Sequence, residues 1–318
     1  MTAIPDISCV VPCRNEEQCV AEVVRRIRHM AAEQGLDYEI VFVEDGSTDR
    51  TLQELRRLRA EDERVRFLSF SRNFGHQVAV TAGLAHARGR CVAVMDCDLQ
   101  DPPEVIGQMI AKWREGWEVV YAVRRTRQEG SLKQFCYKAF YYLMNKLSDI
   151  KVPRDAGDFC LLDAQVVSEM NRVQEFKPFV RGLRAWVGFS QTAVEYDRPA
   201  RQAGVTNYTW LRLVQLAVDG FLSFTDVFLV WAAFLGFFIA LASGGFGSWL
   251  LVNHALIQMG LRSPENVVPG WTSIVCLITF LMGLQFMYLG LLGKYIGRIF
   301  MQTKGRPLYI VRERQGLD

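Results

Sequence analysis

Cys91-Val92-Ala93-Val94-Met95-Asp96-Cys97-Asp98-Leu99-Gln100-Asp101 is the stretch on which the reading of this chain turns. Five apolar residues of strand character run into a loop that opens with two aspartates flanking one residue, so both carboxylates can approach one point. Paired carboxylate oxygens suit a hard divalent cation, Mg²⁺ or Mn²⁺, which keeps several waters and bridges to phosphates. Such a tripeptide is common in solvated loops, so its surroundings have to decide its meaning.

Outward from it, short apolar runs alternate with helical patterns over the first 125 residues. Strands are expected at Ile7–Val11, Glu39–Val43, Val65–Phe70, Cys91–Met95 and Val119–Val123, and helices at Glu16–Gln34, Asp49–Asp62, Gly75–His86 and Pro103–Glu115. This alternation predicts a Rossmann-like α/β domain with a mostly parallel sheet. Ligands in such sheets collect beyond the carboxyl ends of the strands. There the sequence is polar: Pro12, Arg14 and Glu16 follow the first strand, Asp45 the second, Asn73 the third, and Asp96, Asp98 and Gln100 the fourth. Neither a G-x-G-x-x-G after the first strand nor a P-loop occurs, so dinucleotide and P-loop readings lose their support. The Asp45 carboxylate can accept from the imide of a uracil-like base. Ser47-Thr48-Asp49 reads equally as the cap of the next helix, so Asp45 alone is taken as a ligand contact. His76 and His86 read as ordinary helix residues.

The net charge of +3 is too small for a nucleic-acid binder. The eight cysteines contain no C-x-x-C pair and read as buried thiols of a reducing compartment. The segments 227–261 and 266–293 contain no Asp, Glu, Lys or Arg; a membrane span needs roughly 20 mostly apolar residues, so two transmembrane helices are expected. Lys294, Arg298, Lys304, Arg306, Arg312 and Arg314 follow the second, whereas the connecting loop carries Arg262. That bias puts the C-terminus in the cytoplasm, and two crossings put the N-terminal domain there too. The first residues lack a signal-peptide pattern, in keeping with that side.

Val11-Pro12-Cys13-Arg14-Asn15-Glu16-Glu17, Val43-Glu44-Asp45-Gly46-Ser47-Thr48-Asp49, Ser71-Arg72-Asn73-Phe74-Gly75 and Asp96-Cys97-Asp98-Leu99-Gln100-Asp101-Pro102-Pro103-Glu104 together resemble the inverting family 2 glycosyltransferases with the GT-A fold. Within them the chain is similar to the polyprenyl-phosphate branch, which includes dolichol-phosphate mannosyltransferases and bacterial two-span polyprenyl-phosphate glucosyltransferases. The resemblance implies that Pro12, Glu16 and Asp45 line the nucleotide site and that Asp96 and Asp98 hold metal and diphosphate. It implies a UDP-glucose donor, with mannose, galactose and aminoarabinose as alternative sugars that the sequence does not separate, a polyprenyl phosphate acceptor and the inner or plasma membrane as location. The segment Asp155–Leu161 resembles the acceptor-side segment, which makes Asp158 a base or orienting carboxylate; its alternative is a helix-entry or turn aspartate. Arg201-Gln202-Ala203-Gly204-Val205-Thr206-Asn207-Tyr208 resembles an R-x-x-G-x-S-K-Y element in which the arginine meets phosphate. Asn207 departs from the lysine of that element, so Arg201 carries the phosphate expectation.

These readings divide the chain into a catalytic domain at 1–207, a juxtamembrane helix at 208–226, two spans within 227–293 and a basic tail at 294–318. Residues 131–149 interleave aromatics with lysines, a pattern suited to a membrane interface or to packing within the protein. Arg124 and Lys133 suit an anionic lipid head group; a solvated basic loop is the alternative. A two-span anchor of this kind accommodates a homo-oligomer. Two other readings differ in class or cycle: a processive synthase, for which Arg184-Ala185-Trp186 lacks the Q-x-x-R-W arrangement, and a non-catalytic nucleotide-sugar-binding anchor.

Overall fold

The computed structural model describes residues 4–125, 156–173, 175, 178–197, isolated helical and turn positions between 238 and 261, and 271–317. The expected interface helix at 131–149, Lys133, the Arg201 element, the juxtamembrane helix and the span at 227–251, apart from isolated positions, lie outside the described residues.

In chain order the elements are β1 (Ile7–Cys13), α1 (Val20–Gln34), β2 (Tyr38–Glu44), α2 (Thr51–Glu61), β3 (Val65–Phe70), α3 (His76–His86), β4 (Cys91–Val94), α4 (Glu104–Arg114), β5 (Val119–Arg124), β6 (Ala156–Asp163), α5 (Ala164–Arg172), α6 (Val180–Trp186), β7 (Gln191–Tyr196), α7 (Trp271–Thr303) and β8 (Val311–Gln315). One sheet runs in the order β7-β5-β6-β4-β1-β2-β3-β8. β4, β1, β2 and β3 are mutually parallel, while β6 and β8 run against their neighbours. The α/β domain with a mostly parallel sheet is therefore as expected.

The central strands are buried on both faces and so read as continuous apolar runs. Ile7, Cys9 and Val11 pack with α1, α2 and α4 on one side, while Val10, Val41, Val43 and Leu68 pack with α3, α5 and α6 on the other. The apolar spacing of α1 is fully used, with Val20, Val23, Val24, Ile27 and Met30 all buried. Gly35 ends it in the left-handed conformation, its N–H returning to Ala31 and Ala32.

Helix α1 starts at Val20, four residues later than its periodicity suggests. The N–H groups of Glu16 and Glu17 are instead taken by Thr51 Oγ1, at the first residue of α2, and by Asp49 Oδ2, in the loop before it. The first turn of α2 is held locally, because Asp49 Oδ1 accepts the Thr51 N–H at 3.0 Å. The cap position itself falls on Arg50, which makes no side-chain cap bond, so Asp49 supports the helix start from one residue before the cap.

Residues 1–220 and 306–318 form one compact unit and 221–305 another. The tail expected at 294–318 is thus divided. Its start continues α7, whereas β8 pairs antiparallel with β3 and closes that edge of the sheet. Buried charge secures the edge: Arg66 donates from Nε to the Gly316 carbonyl at 2.6 Å and from Nη1 to Glu39. Glu39 also accepts from Ser8 Oγ at 2.6 Å and from the Arg88 N–H at 2.7 Å. Tyr309 stacks on Phe70 at 4.8 Å between centroids.

Helix α7 is 33 residues long, roughly 50 Å at 1.5 Å per residue. Among the described residues no helix is long and apolar enough to cross a membrane. The 271–293 stretch of α7 is nevertheless uncharged in sequence, and several of its side chains lie outside the described residues. Cys9, Cys13, Cys19, Cys91, Cys97 and Cys160 are buried free thiols, in line with their reading, and burial pushes Cys9, Cys13, Cys91, Cys97 and Cys160 upward in pKa.

Candidate functional site

In the strand order, β1 leads to β2 and β3 on one side while β4 lies on the other, so the crevice of the parallel sheet opens between the ends of β1 and β4. The loops after β1, β2 and β3 are stitched together around it. Asn15, at a left-handed φ of 56°, takes the Thr48 N–H on Oδ1 at 2.8 Å and donates its own N–H to Ser47 Oγ at 3.1 Å. Asp45 accepts the N–H of Phe74 at 2.6 Å and that of Gly75 at 3.0 Å, one on each carboxylate oxygen. Burial raises the Asp45 pKa, while these two bonds and the neighbouring Arg14 charge pull it back. The expected base contact therefore also ties the loop after β2 to the start of α3.

The acidic loop after β4 turns sharply. Leu99 adopts a φ of 60° while buried, and Asp98 Oδ1 accepts the Gln100 N–H at 3.1 Å. A buried leucine in the left-handed region is strained and is held by its surroundings. Cys97 points inward, where burial and the neighbours Cys13 and Glu16, then Cys19 and Asp98, push its thiol up. Asp101 is buried and accepts the Tyr196 hydroxyl at 2.6 Å. Arg124, expected at a lipid head group, donates from Nε to the same hydroxyl at 3.4 Å.

Asp158 lies in strand β6, which corrects the alternative of a turn or helix-entry aspartate. Arg181 grips it with Nε 2.7 Å from Oδ1 and Nη2 3.0 Å from Oδ2. Gln77 Nε2 donates to Oδ2 at 3.3 Å, and His76 Nε2 lies 3.4 Å from the same oxygen. His76 Nε2 is also 3.7 Å from Asp96 Oδ1. Burial works against the imidazolium, but the two carboxylates outweigh it and raise the His76 pKa to about 9. For Asp158 burial is outweighed by Arg181 and His76, and its pKa falls well below the usual carboxylate range. Asp96 goes the other way: burial, with Asp101, Asp158 and Asp98 nearby, pushes it up to about 6 against the pull of His76.

His76, Gln77 and Arg181 are site residues that sequence patterning misses. His76 reads as an ordinary helix residue, and it does open α3; its signal is its place immediately after a polar strand end. His86 bears out that reading, its Nδ1 lying 2.8 Å from the Ala82 carbonyl of its own helix. Arg181 carries no local signal, because β6 and α6 meet only in the tertiary structure. Pro12 is buried at the end of β1, while Arg14 and Asn73 are exposed and Gln100 is half-buried.

Among the described residues no three His, Cys, Asp or Glu side chains are grouped to hold a metal unaided. The donor chemistry fits one all the same. Asp96 and Asp98 supply hard oxygen, and Asp101 and Asp158 add negative charge beside Asp96.

The glycosyl transferase family 2 model matches residues 8–170, just over half the chain. Glycosyltransferase YkcC of Bacillus subtilis is 42% identical over 98% of this chain and 94% of its own. The bactoprenol glucosyl transferase of Shigella phage SfX is 39% identical over 97% of this chain and 99% of its own. A prophage bactoprenol glucosyl transferase homolog of Escherichia coli is 38% identical over 96% and 98%. With a mostly parallel, GT-A-like sheet and its acidic loop after β4, the chain belongs to glycosyl transferase family 2 and is a glycosyltransferase.

Proposed function

We propose that the protein transfers one sugar, glucose from UDP-glucose, to polyprenyl phosphate at the cytoplasmic face of a membrane, with inversion at the anomeric carbon and with Mg²⁺ or Mn²⁺. The observation that carries this reading is the meeting of the donor-side carboxylate Asp96 and the acceptor-side carboxylate Asp158 at one imidazole nitrogen, His76 Nε2. End-to-end similarity to bactoprenol glucosyl transferases supports the acceptor and the sugar.

On this reading Pro12, Arg14, Glu16, Asp45, Asn73 and Gln100 line the nucleotide-sugar, and Asp96 and Asp98 would hold the metal with the diphosphate. The metal, when bound, offsets charge on the departing nucleoside diphosphate. Arg201, Arg124 and Lys133 would meet the acceptor phosphate. A phosphate is already an oxyanion at neutral pH, so it attacks the sugar carbon without the base that a hydroxyl requires. The chain's task is then mainly to position donor and acceptor in line and to balance charge, and a single in-line displacement inverts the configuration.

For the membrane, the support is a 33-residue helix, uncharged over 271–293 and exposing Ile274, Leu277, Ile278, Met282 and Leu289. The tail beyond α7 belongs to the same unit as residues 1–220. A chain that leaves one folded unit and returns to it crosses a bilayer an even number of times, which agrees with two spans.

The test is incubation of the purified protein with polyprenyl phosphate and a panel of nucleotide-sugars, with and without Mg²⁺, Mn²⁺ and chelator. A chelator-sensitive sugar-lipid from UDP-glucose, lost in Asp96→Asn/Asp98→Asn, is expected. Absence of product with every donor, or undiminished product from the double variant, would overturn the reading in favour of a non-catalytic nucleotide-sugar-binding anchor.

A further inference from the structure

Tyr309 lies between the end of α7 and β8, and its ring stacks on Phe70 with the planes 24° from parallel. Phe70 in turn meets Phe74 edge to face, with centroids 5.6 Å apart and an interplanar angle of 84°. On Phe74 the Arg72 guanidinium carbon sits 4.0 Å from the ring centroid, a cation–π contact. Three rings thus run in series from the tail to the loop after β3. The last of them belongs to the residue whose backbone N–H Asp45 accepts.

The same loop is held at its other joints. Its first residue, Ser71, donates its N–H to the Ile310 carbonyl at 2.9 Å. In its middle, the backbone of Arg72 and Asn73 approaches Gly46 so closely that a β-carbon there would clash. At its end, Gly75 donates to the second Asp45 oxygen. The β3–β8 register shifts between Ser69 and Phe70. Bulges at sheet edges end pairing or re-aim a side chain, and this one falls on the ring that Tyr309 covers. Phe70 is fully buried, whereas Tyr309 and Phe74 are half-buried. A close-packed interior leaves a buried ring little freedom, so Phe70 passes the position of one neighbour to the other.

We propose that Tyr309 is a positioning residue for the donor nucleotide: stacked through Phe70 on Phe74, it fixes the loop after β3 and with it the direction of the Asp45 carboxylate. This deepens the proposed function and rests on it for the nucleotide. A carboxylate offers about four lone-pair sites, and the Phe74 and Gly75 amides take one on each oxygen. The loop therefore sets where the remaining lone pairs point, and a base imide meets a carboxylate already aimed. The segment that follows α7 completes the donor side of the site as well as closing the sheet edge. Aromatic pairs contribute through their mutual geometry as well as through buried area, so a leucine in place of Tyr309 keeps an apolar contact and loses the alignment.

The experiment uses the full chain in lipid nanodiscs, with Tyr309→Phe, Tyr309→Leu, Phe74→Leu, the Tyr309→Leu/Phe74→Leu double variant and Glu313→Gln. Glu313 lies in β8 and pairs with Arg56 of α2, so its variant loosens the tail away from the rings. UDP affinity in Mg²⁺ is measured by calorimetry, donor and acceptor KM by transfer assay, and amide exchange at 73–75 by mass spectrometry. Tyr309→Leu is expected to weaken UDP binding about fivefold, mid-range for the loss of one ring pair. The donor KM should rise by the same factor, with kcat and the acceptor KM unchanged, and exchange at 73–75 should quicken. Tyr309→Phe keeps the stacked ring and should match wild type, as should Glu313→Gln. The double variant should bind UDP no more weakly than Phe74→Leu, because the series of rings is already broken.

Wild-type UDP affinity in Tyr309→Leu, an equal loss in Glu313→Gln, or additive losses in the double variant would overturn the proposal. Wild-type exchange at 73–75 in Tyr309→Leu would overturn it even if no nucleotide binds. A chain that shows the faster exchange yet binds no UDP would sink only the proposed donor.

Discussion

The Asp45 carboxylate accepts the Phe74 backbone N–H at 2.6 Å, joining the loop that ends β2 to the loop that ends β3. Since the other oxygen takes the Gly75 N–H, an amide cannot replace the carboxylate: Asn would turn one NH₂ toward a donor. Asp45→Asn is expected to cost about 2 kcal/mol, the desolvation penalty of one unpaired N–H. Thermal unfolding of the purified protein, with Asp37→Asn as an exposed control, checks it.

Gly46 holds φ at 64°, and an added β-carbon would fall 2.5 Å from the Arg72 carbonyl carbon and 2.6 Å from the Asn73 nitrogen. Both atoms are backbone and cannot swing aside. Gly35 has nearly the same φ, 63°, with nothing within 4 Å. Gly35→Ala should therefore lose about 1 kcal/mol for left-handed backbone alone. Gly46→Ala should lose roughly 3 kcal/mol once overpacking is added, and nucleotide affinity should fall with it. Equal losses would show that the loops yield.

Arg66 and Glu39 form a buried ion pair between β3 and β2, and Arg66 also holds the Gly316 carbonyl beyond β8. Removing one partner strands the other charge. Arg66→Met is expected to cost about 3–5 kcal/mol and to speed hydrogen exchange in 311–315. Glu39→Gln/Arg66→Met should recover part of the loss, because the glutamine side chain is neutral and can still accept from Ser8. Denaturant unfolding with exchange mass spectrometry measures both.

Asp158 has a folded pKa below its unfolded value, so its ion pair stabilises the fold fully above the ordinary carboxylate pKa and fades as pH falls through the folded one. The stability gap between wild type and Asp158→Asn should therefore be constant at neutral pH and narrow below about pH 4. Melting temperatures of both proteins across an acid series test the sign; a gap that widens in acid would reverse it.

Strand β6 shows why part of the site could not be read locally. Its antiparallel insertion between β4 and β5 sets Asp158 beside the end of the Asp96 strand, although the two are 62 positions apart in sequence. Likewise Arg181 reaches the site from α6, a seven-residue helix too short for a periodic signal. His76 is visible in the sequence but looks bland, because a histidine at a helix start has many uses and its two carboxylate partners come from distant strands.

Sequence alone determined the alternation of strands and helices, the polar strand ends, the Asp96–Asp98 pair and the uncharged stretch of α7. Each of these is a local pattern of hydrophobicity or a short motif, which neighbouring residues specify without long-range contact. Tertiary structure decided the rest: that burial raises the Asp96 pKa while Arg181 and His76 lower that of Asp158, and that the tail returns to the sheet as β8. Those properties depend on burial and on charges from other elements, and only folding brings Arg181 and His76 to Asp158.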